Sequence, residues 1–230
     1  MNKNRKVMIV TGGSAGLGLE LVRHGLDAGY FVCSLGRNPE KMAALDAEFA
    51  GRDYMGLVGD VADEAFVAKA VAEVAQIGQI AILFNNAQKS VFKVPTEFTV
   101  SDIEESFDGV RAMLQCTKHV LLACGEEDVH IVNIMSTAAL KGKKQEALYC
   151  TVKWGARGYT EALKATYADT SVRVTGVFPG GMNTGFWNDA RDYISEEKSE
   201  TFMDPAEVAQ QIMDHVLGEN WAEDLTIQRK

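Results

Sequence analysis

The sequence predicts an α/β fold: a doubly wound parallel sheet of about seven strands between two layers of helices. Short apolar runs alternate along the chain with longer stretches whose apolar residues recur at helical spacing. The runs are apolar throughout, as at residues 80–84, which is typical of parallel strands buried on both faces. Because parallel strands need crossover connections, the helices between them must cover both faces of the sheet. The predicted architecture is therefore a single three-layer, Rossmann-type α/β/α domain over residues 1–230.

The predicted strands and helices follow one another in order. Strands are predicted over residues 6–10, 30–35, 54–58, 80–84, 129–134, 172–177 and 225–227. Helices are predicted over residues 18–29, 39–49, 64–75, 101–124, 148–167 and 205–217. Pro39 suits the first turn of its helix, and Ser101 with Glu104 predicts a capping box at the start of the fourth.

One long stretch between the last two strands is polar and irregular. Its part at residues 185–203 carries Phe186, Trp187 and Tyr193 among charged residues. The aromatic side chains predict a lid over an apolar substrate, but an ordinary surface loop explains the same composition equally well.

Composition and charge exclude several classes of protein. Apolar residues make up 47% of the chain and charged residues 24%, which excludes a disordered or fibrous protein. The formal net charge of -9 argues against nucleic acid or an anionic membrane as the main partner. No apolar run reaches the ~18 residues of a membrane span, and the one near the start is too short for a signal peptide. We therefore expect a cytoplasmic protein with reduced cysteines, and the histidine spacing predicts no metal site.

A glycine-rich loop between the first strand and the first helix predicts a dinucleotide site. It reads TGGSAGLG over residues 11–18 and includes Leu17. Gly12 permits a tight turn, Gly16 lets the main chain approach a pyrophosphate, and Gly18 lets helix and strand pack closely. The helix start then offers free N–H groups and a positive dipole to the phosphates. The glycines alone would also fit a plain strand-to-helix turn, but their place between strand and helix favours phosphate binding.

The end of the second strand indicates which dinucleotide binds. An NAD site usually carries an acidic residue there, roughly 20 residues after the glycine loop. Residues 34–38 contain no carboxylate and present Arg37 instead. Arg37 can pair with a 2′-phosphate, and Ser14 can add a hydroxyl donor. The sequence thus predicts NADP rather than NAD, although a solvated Arg37 in an NAD-specific dehydrogenase remains the alternative.

Three polar residues near the fifth strand predict acid–base chemistry. Ser136 follows that strand, and Tyr149 and Lys153 share one helix face at positions i and i+4. A phenol of pKa ~10 needs a shift of ~3 units, or about 4 kcal/mol, to act near pH 7. An ammonium ~4 Å away supplies roughly that much at an effective dielectric of ~20. Tyr149 would exchange a proton with a carbonyl or alcohol oxygen, Ser136 would hydrogen-bond that oxygen, and Lys153 would also anchor the nicotinamide ribose.

Together these motifs resemble the short-chain dehydrogenase/reductase family, in its compact single-domain form and over nearly the whole chain. The resemblance also rests on Asp60-Val61, Asn85-Asn86-Ala87, IVNIMS at 131–136, YCTVK at 149–153, and Phe178-Pro179-Gly180-Gly181 with Thr184. It implies that Asp60 binds the adenine amino group and that Val61 contributes main chain. It further implies that Asn86 and Ala87 line the adenosine ribose and nicotinamide side. Pro179, Gly180 and Thr184 would hold the nicotinamide and its carboxamide.

The resemblance implies an NADP(H)-dependent oxidoreductase that transfers hydride between the nicotinamide and a small carbonyl or alcohol substrate. It also implies a homodimer or homotetramer built on the two long helices, at about residues 101–124 and 148–167. A dinucleotide-binding regulator or scaffold with little turnover is the alternative.

Two departures from the family pattern motivate that alternative. Gln88 stands where the family usually has glycine, and it either narrows the floor near the nicotinamide or points a polar group at substrate. The family also has an asparagine in the fourth helix, which holds a water that extends the proton relay from the lysine. Here Gly109, Val110 or Arg111 takes that place, depending on the alignment. Arg111 near Lys153 would disfavour the charge on the lysine.

Overall fold

The computed structural model describes residues 5–89, 91–190, 201–219 and 221–229. Seven parallel strands form one sheet in the order β3-β2-β1-β4-β5-β6-β7. The strands are β1 Lys6–Thr11, β2 Phe31–Gly36, β3 Tyr54–Val58, β4 Gln79–Asn85, β5 Val129–Ile134, β6 Val172–Pro179 and β7 Asp224–Ile227. From β1 the chain adds β2 and β3 on one side of the sheet, and it then returns to the other side of β1 to add β4, β5, β6 and β7. The switch of direction leaves a crevice at the carboxyl ends of β1 and β4, which is where ligands of such sheets bind.

Helices cover both faces of the sheet, as the sequence predicted. Those in the described part of the chain are α1 Gly16–Asp27, α2 Pro39–Glu48, α3 Glu64–Ile77, α4 Val100–Cys124, α5 Ala147–Tyr167 and α6 Pro205–Leu217. Helices α1 and α6 pack together on one face, and α3, α4 and α5 pack side by side on the other. The predicted fold class is thus confirmed, and the element boundaries are either as predicted or shifted by one or two residues.

The start of α4 differs from the prediction. Thr99 is the N-cap: its hydroxyl accepts from the Asp102 main-chain N–H at 3.1 Å, and the Asp102 carboxylate accepts from the Thr99 N–H at 2.8 Å. Ser101 was predicted to cap the helix but lies inside it, and its hydroxyl donates to Glu105. Two overlapping capping-box patterns occur in this stretch, so local sequence could not choose between them. A tertiary ion pair between Lys93 and Asp102, at 2.8 Å, favours the observed register.

The predicted lid falls partly outside the described residues. Residues 185–190 form a short 3-10 turn, and an isolated bridge between Met182 and Met203 brings the two ends of the segment together. Tyr193 lies outside the described residues, as does all of 191–200. In the part of the chain that the structure describes, no helix is long and apolar enough to cross a bilayer.

His130 is a fully buried titratable residue in the middle of the sheet. Its Nε2 lies 2.8 Å from the Thr175 hydroxyl, and its ring packs 5.5 Å from that of Trp221. Burial, reinforced by the charges of Arg173 and His215, lowers the pKa of His130 to about 3.

Neutral His130 therefore makes the fold sensitive to acid. In the unfolded chain His130 is protonated near pH 6.5, whereas in the folded protein it stays neutral until about pH 3. The contribution of neutral His130 to the free energy of unfolding is therefore complete above pH 6.5 and is lost as the pH falls toward about 3. The loss is up to about 1.4 kcal/mol per pH unit. We expect His130→Gln, which can still bond Thr175, to show a shallower decline than wild type in the free energy of unfolding between about pH 6 and 4. Urea titrations at each pH measure this, and parallel declines would contradict it.

Candidate active site

Most of the predicted functional residues gather around one cavity of about 550 Å³ at the carboxyl ends of the central strands. Its walls come from the glycine loop, the loop after β4, the turn after β5, the first turns of α5 and the segment after β6. Predicted site residues that line it are Gly12, Gly16, Leu17, Gly18, Asn86, Ala87, Ser136, Tyr149, Lys153, Pro179, Gly180 and Thr184. Four others lie outside its lining, near the ends of β2 and β3: Ser14, Arg37, Asp60 and Val61.

The glycine loop presents main chain to the cavity. Gly12 has a φ of +67°, which a side chain would strain, and a Cβ on Gly18 would lie 2.2 Å from the Gly12 carbonyl oxygen. The N-cap of α1 is Ala15, whose methyl side chain cannot accept a hydrogen bond from the first N–H groups of the helix. These N–H groups and the helix dipole are therefore left for an anionic ligand, such as a phosphate.

Asn86 and Thr11 join the loop after β4 to the glycine loop. The Asn86 amide donates to the Thr11 carbonyl oxygen at 2.9 Å, and the Thr11 hydroxyl accepts from the main-chain N–H groups of Asn86 and Ala87, each at 2.9 Å. The amide of Asn86 thus braces the strand ends, while the residue also lines the cavity.

Positive charge lies at the outer end of the cavity, beyond β2. Arg37 is 60% exposed and lies 3.7 Å from a carboxylate oxygen of Asp60. The Ser14 hydroxyl faces Gly36, within 3.4 Å of where a Cβ there would lie. Lys41 lines the cavity from the first turn of α2, and sequence analysis missed it. The sequence signal that could have identified Lys41 is its position as a second cation about one helical turn after Arg37, which follows the end of β2.

Ser136, Tyr149 and Lys153 meet in the cavity, and all three are buried. The Ser136 hydroxyl accepts from the Ala138 N–H at 3.1 Å and lowers the pKa of the Tyr149 phenol. The Lys153 ammonium donates to the Ile134 carbonyl oxygen at 3.2 Å and lies 5.7 Å from the centre of the Tyr149 ring. The last residue of β5 thus holds the lysine, and Ser136 in the turn after it influences the phenol.

Burial, rather than the neighbouring cation, dominates the electrostatics of this trio. Desolvation raises the pKa of Tyr149 above its usual value, Ser136 opposes the rise, and the charge of Glu146 adds to it. Desolvation also lowers the pKa of Lys153 to about 7. The predicted lowering of the Tyr149 pKa is therefore wrong in sign for this structure, because burial disfavours both the phenolate and the lysine ammonium that was to stabilise it. Tyr149 holds its proton at neutral pH.

An aromatic wall stands beside the phenol. The rings of Phe92 and Phe186 lie 5.5 and 5.8 Å from that of Tyr149. Trp187 stacks on Phe202 at 5.1 Å, and its indole N–H donates to the Met182 carbonyl oxygen at 2.9 Å. Phe186 and Trp187 were predicted to cover substrate, whereas Phe92, from the loop after β4, was missed.

Charged side chains share this side of the cavity. Glu146 is 2% exposed, and its carboxylate lies 4.0 Å from the Lys143 ammonium. Arg229 lies 5.4 Å above the Phe202 ring. All three line the cavity, yet sequence analysis missed them, because charges in a loop or at a chain end are solvated in most proteins.

The fourth helix shows what replaces the expected asparagine. Arg111 points to solvent and pairs with Asp108 at 2.8 Å, so the prediction that it disfavours the Lys153 charge is wrong. Val110 packs against the cluster around Tyr149, and Gly109 faces Gln88.

Comparison with known proteins gives consistent matches. A family model described as short chain dehydrogenase matches residues 6–194. A putative ketoacyl reductase of the granaticin polyketide synthase of Streptomyces violaceoruber is 33% identical over 213 residues, which are 85% of this chain and 76% of that protein. An actinorhodin polyketide ketoreductase variant with NADPH matches at a TM-score of 0.87 and 26% identity, over 98% of this chain and 97% of that one. The closed form of a serine dehydrogenase complexed with NADP+ matches at a TM-score of 0.88 and 25% identity, over 97% of this chain and 96% of that one.

Proposed function

The chain belongs to the short-chain dehydrogenase family, and we propose that it is an NADP(H)-dependent oxidoreductase acting on a small carbonyl or alcohol substrate. The observation that carries the proposal is the meeting of Ser136, Tyr149 and Lys153 in the same cavity as the glycine loop. When bound there, the nicotinamide would supply or accept the hydride. NADPH or NADP+ in the matching ketoreductase and serine dehydrogenase structures supports this cofactor.

The protein's own residues handle the proton. Tyr149 donates its phenolic proton to the substrate oxygen as the carbonyl carbon receives hydride, and Ser136 hydrogen-bonds the same oxygen. Lys153 holds the nicotinamide ribose with the ammonium protons that Ile134 leaves free. The raised pKa of Tyr149 keeps the phenol protonated at neutral pH, which is the state that a proton donor to a carbonyl oxygen needs.

The remaining cofactor contacts follow the order of the strand ends. Asp60 and Val61 would meet the adenine, and Asn86 with Ala87 would line the ribose and nicotinamide side. Pro179, Gly180 and Thr184 would hold the nicotinamide, with Gly12, Gly16, Leu17 and Gly18 beneath the pyrophosphate. The cations Arg37 and Lys41, with the Ser14 hydroxyl, would bind the 2′-phosphate.

Tyr149→Phe tests the acid. The variant keeps the ring and its packing but loses the proton, so we expect turnover to fall at least about 100-fold. NADPH affinity should stay within about threefold, because the phenolic hydroxyl is assigned to the substrate oxygen and not to the phosphates. NADPH oxidation is measured on a carbonyl panel that includes 3-oxoacyl thioesters, and affinity is measured by fluorescence titration. Equal loss of affinity would contradict the assigned role. Saturable NADPH binding by wild type without turnover on the whole panel would favour a regulator.

Arg37→Asp and Lys41→Asp test the choice of cofactor. Each replaces a cation with a charge that repels the 2′-phosphate, so we expect NADPH affinity to fall at least about tenfold while NADH affinity changes little. Lys69→Asp makes the same charge change on an exposed position of α3 that does not line the cavity, and it should alter neither affinity. Tighter binding of NADH than NADPH by wild type would exclude the NADP assignment.

We also propose a homodimer or homotetramer through α4 and α5. These helices expose Phe107 and Leu114 at 40% each and Trp154 at 48%, which is more apolar surface than a solvated pair of helices requires. Light scattering after size exclusion should give a multiple of the 25.1 kDa chain mass, and Phe107→Glu with Trp154→Glu should give monomers. A monomeric wild type at micromolar concentration would exclude this assembly.

A further inference from the structure

Glu146 places a buried carboxylate in the wall of the cavity. The residue is 2% exposed and lines the cavity together with Tyr149 and Phe186. Glutamate is almost never buried to this extent unless a cation or hydrogen-bond donors compensate its charge. The charge of Glu146 also reaches the phenol, because it raises the pKa of Tyr149. The site therefore holds a negative charge within electrostatic reach of its proton donor.

The turn before α5 fixes the position of this carboxylate. Gln145 has a φ of +60°, in the left-handed region that residues other than glycine rarely adopt, and such strain is concentrated at functional sites. The Glu146 N–H donates to the Lys143 carbonyl oxygen at 3.3 Å, and the Glu146 carbonyl oxygen accepts from the Cys150 N–H at 2.7 Å. The main chain of Glu146 is thus held on both sides, three residues before Tyr149.

Lys143 compensates the charge of Glu146 only loosely. Its ammonium lies 4.0 Å from Glu146 Oε2, which is longer than a hydrogen bond, and it donates to the Thr137 hydroxyl at 3.1 Å. The side chain of Lys143 is 37% exposed, whereas that of Glu146 is 3% exposed. Water therefore screens the positive charge of this pair far more than the negative one.

This difference in exposure decides which ligand charge the wall favours. A water-screened ammonium contributes little to the binding of an anion, whereas a desolvated carboxylate attracts a cation strongly and orders it by charge-assisted hydrogen bonds. The rings of Phe92 and Phe186 beside the phenol favour the same sign, because the face of an aromatic ring attracts a cation. The wall near Tyr149 thus suits a positively charged group on the substrate.

We propose that Glu146 determines substrate specificity and that the substrate is an amino ketone or amino alcohol, whose ammonium binds the Glu146 carboxylate. This inference deepens the proposed function and rests on it. Side chains three residues apart on a helix begin about 5–6 Å from each other, so the amine belongs one or two carbons from the reacting carbon. On reduction that carbon receives the hydride, its oxygen receives the Tyr149 proton, and the ammonium is unchanged. The substrate replaces Lys143 as the cation beside Glu146.

A pair of isosteric ketones tests the role of Glu146. Aminoacetone carries an ammonium at pH 7 where 2-butanone has a methyl group, so the ratio of their kcat/KM values reports charge recognition. We expect Glu146→Gln, which keeps the size of the side chain, to lower this ratio at least about tenfold. Glu73→Gln makes the same charge change at an exposed position of α3 outside the cavity lining, and it should keep the wild-type ratio. An unchanged ratio in Glu146→Gln would overturn the proposal.

Lys143→Gln tests the same site with the opposite sign. The variant removes the cation that competes with the substrate amine, so we expect KM for aminoacetone to fall about threefold and KM for 2-butanone to stay within about twofold. If the two charges only pin the turn, Lys143→Gln and Glu146→Gln both lower the urea midpoint and affect the two ketones alike. That result would refute substrate recognition by Glu146.

Binding measurements separate this inference from the proposed reaction. In calorimetric titrations at pH 7 with NADP+ present, wild type should bind 1-amino-2-propanol at least about tenfold more tightly than 2-butanol, and Glu146→Gln should remove the difference. If no ketone is reduced, the proposed function fails, and the preference for the amine still decides the role of Glu146. If ketones are reduced but the amine and the plain alcohol bind wild type equally, the proposed function stands and this inference fails.

Discussion

The burial of Tyr149 beside Lys153 is the constraint on which the rest of the site depends. Removing both groups from water favours their neutral forms, so the phenol keeps its proton and the pKa of the lysine falls to about 7. The protein thus holds a proton donor next to a base that is easily charged.

The architecture supplies that burial and fixes the geometry. Parallel strands end together at one edge of the sheet, and the reversal of winding between β1 and β4 opens a crevice there. The last residue of β5, Ile134, accepts from the lysine, and Ser136 in the turn after β5 lowers the pKa of the phenol. Aromatic rings from the loop after β4 and the segment after β6 then cover the phenol.

The cavity divides by chemistry along its length. Its inner end is main chain and glycine, which suits phosphates, and its outer end carries Lys41 near Arg37. The wall near the phenol combines aromatic rings with Glu146 and Lys143, so the cavity offers both apolar surface and charged groups.

The sequence by itself determined what depends on neighbours along the chain. Alternating apolar runs gave the parallel sheet and its helices, the glycine loop lay between strand and helix, and a four-residue spacing put Tyr149 and Lys153 on one helix face. Tertiary structure alone decided which capping box starts α4, that Lys41 reaches the cavity, that Phe92 packs beside Tyr149, and that Gln88 fills the space above Gly109. It also decided the sign of the Tyr149 shift, because desolvation is set by residues distant in sequence that close over the phenol, and no local pattern records them.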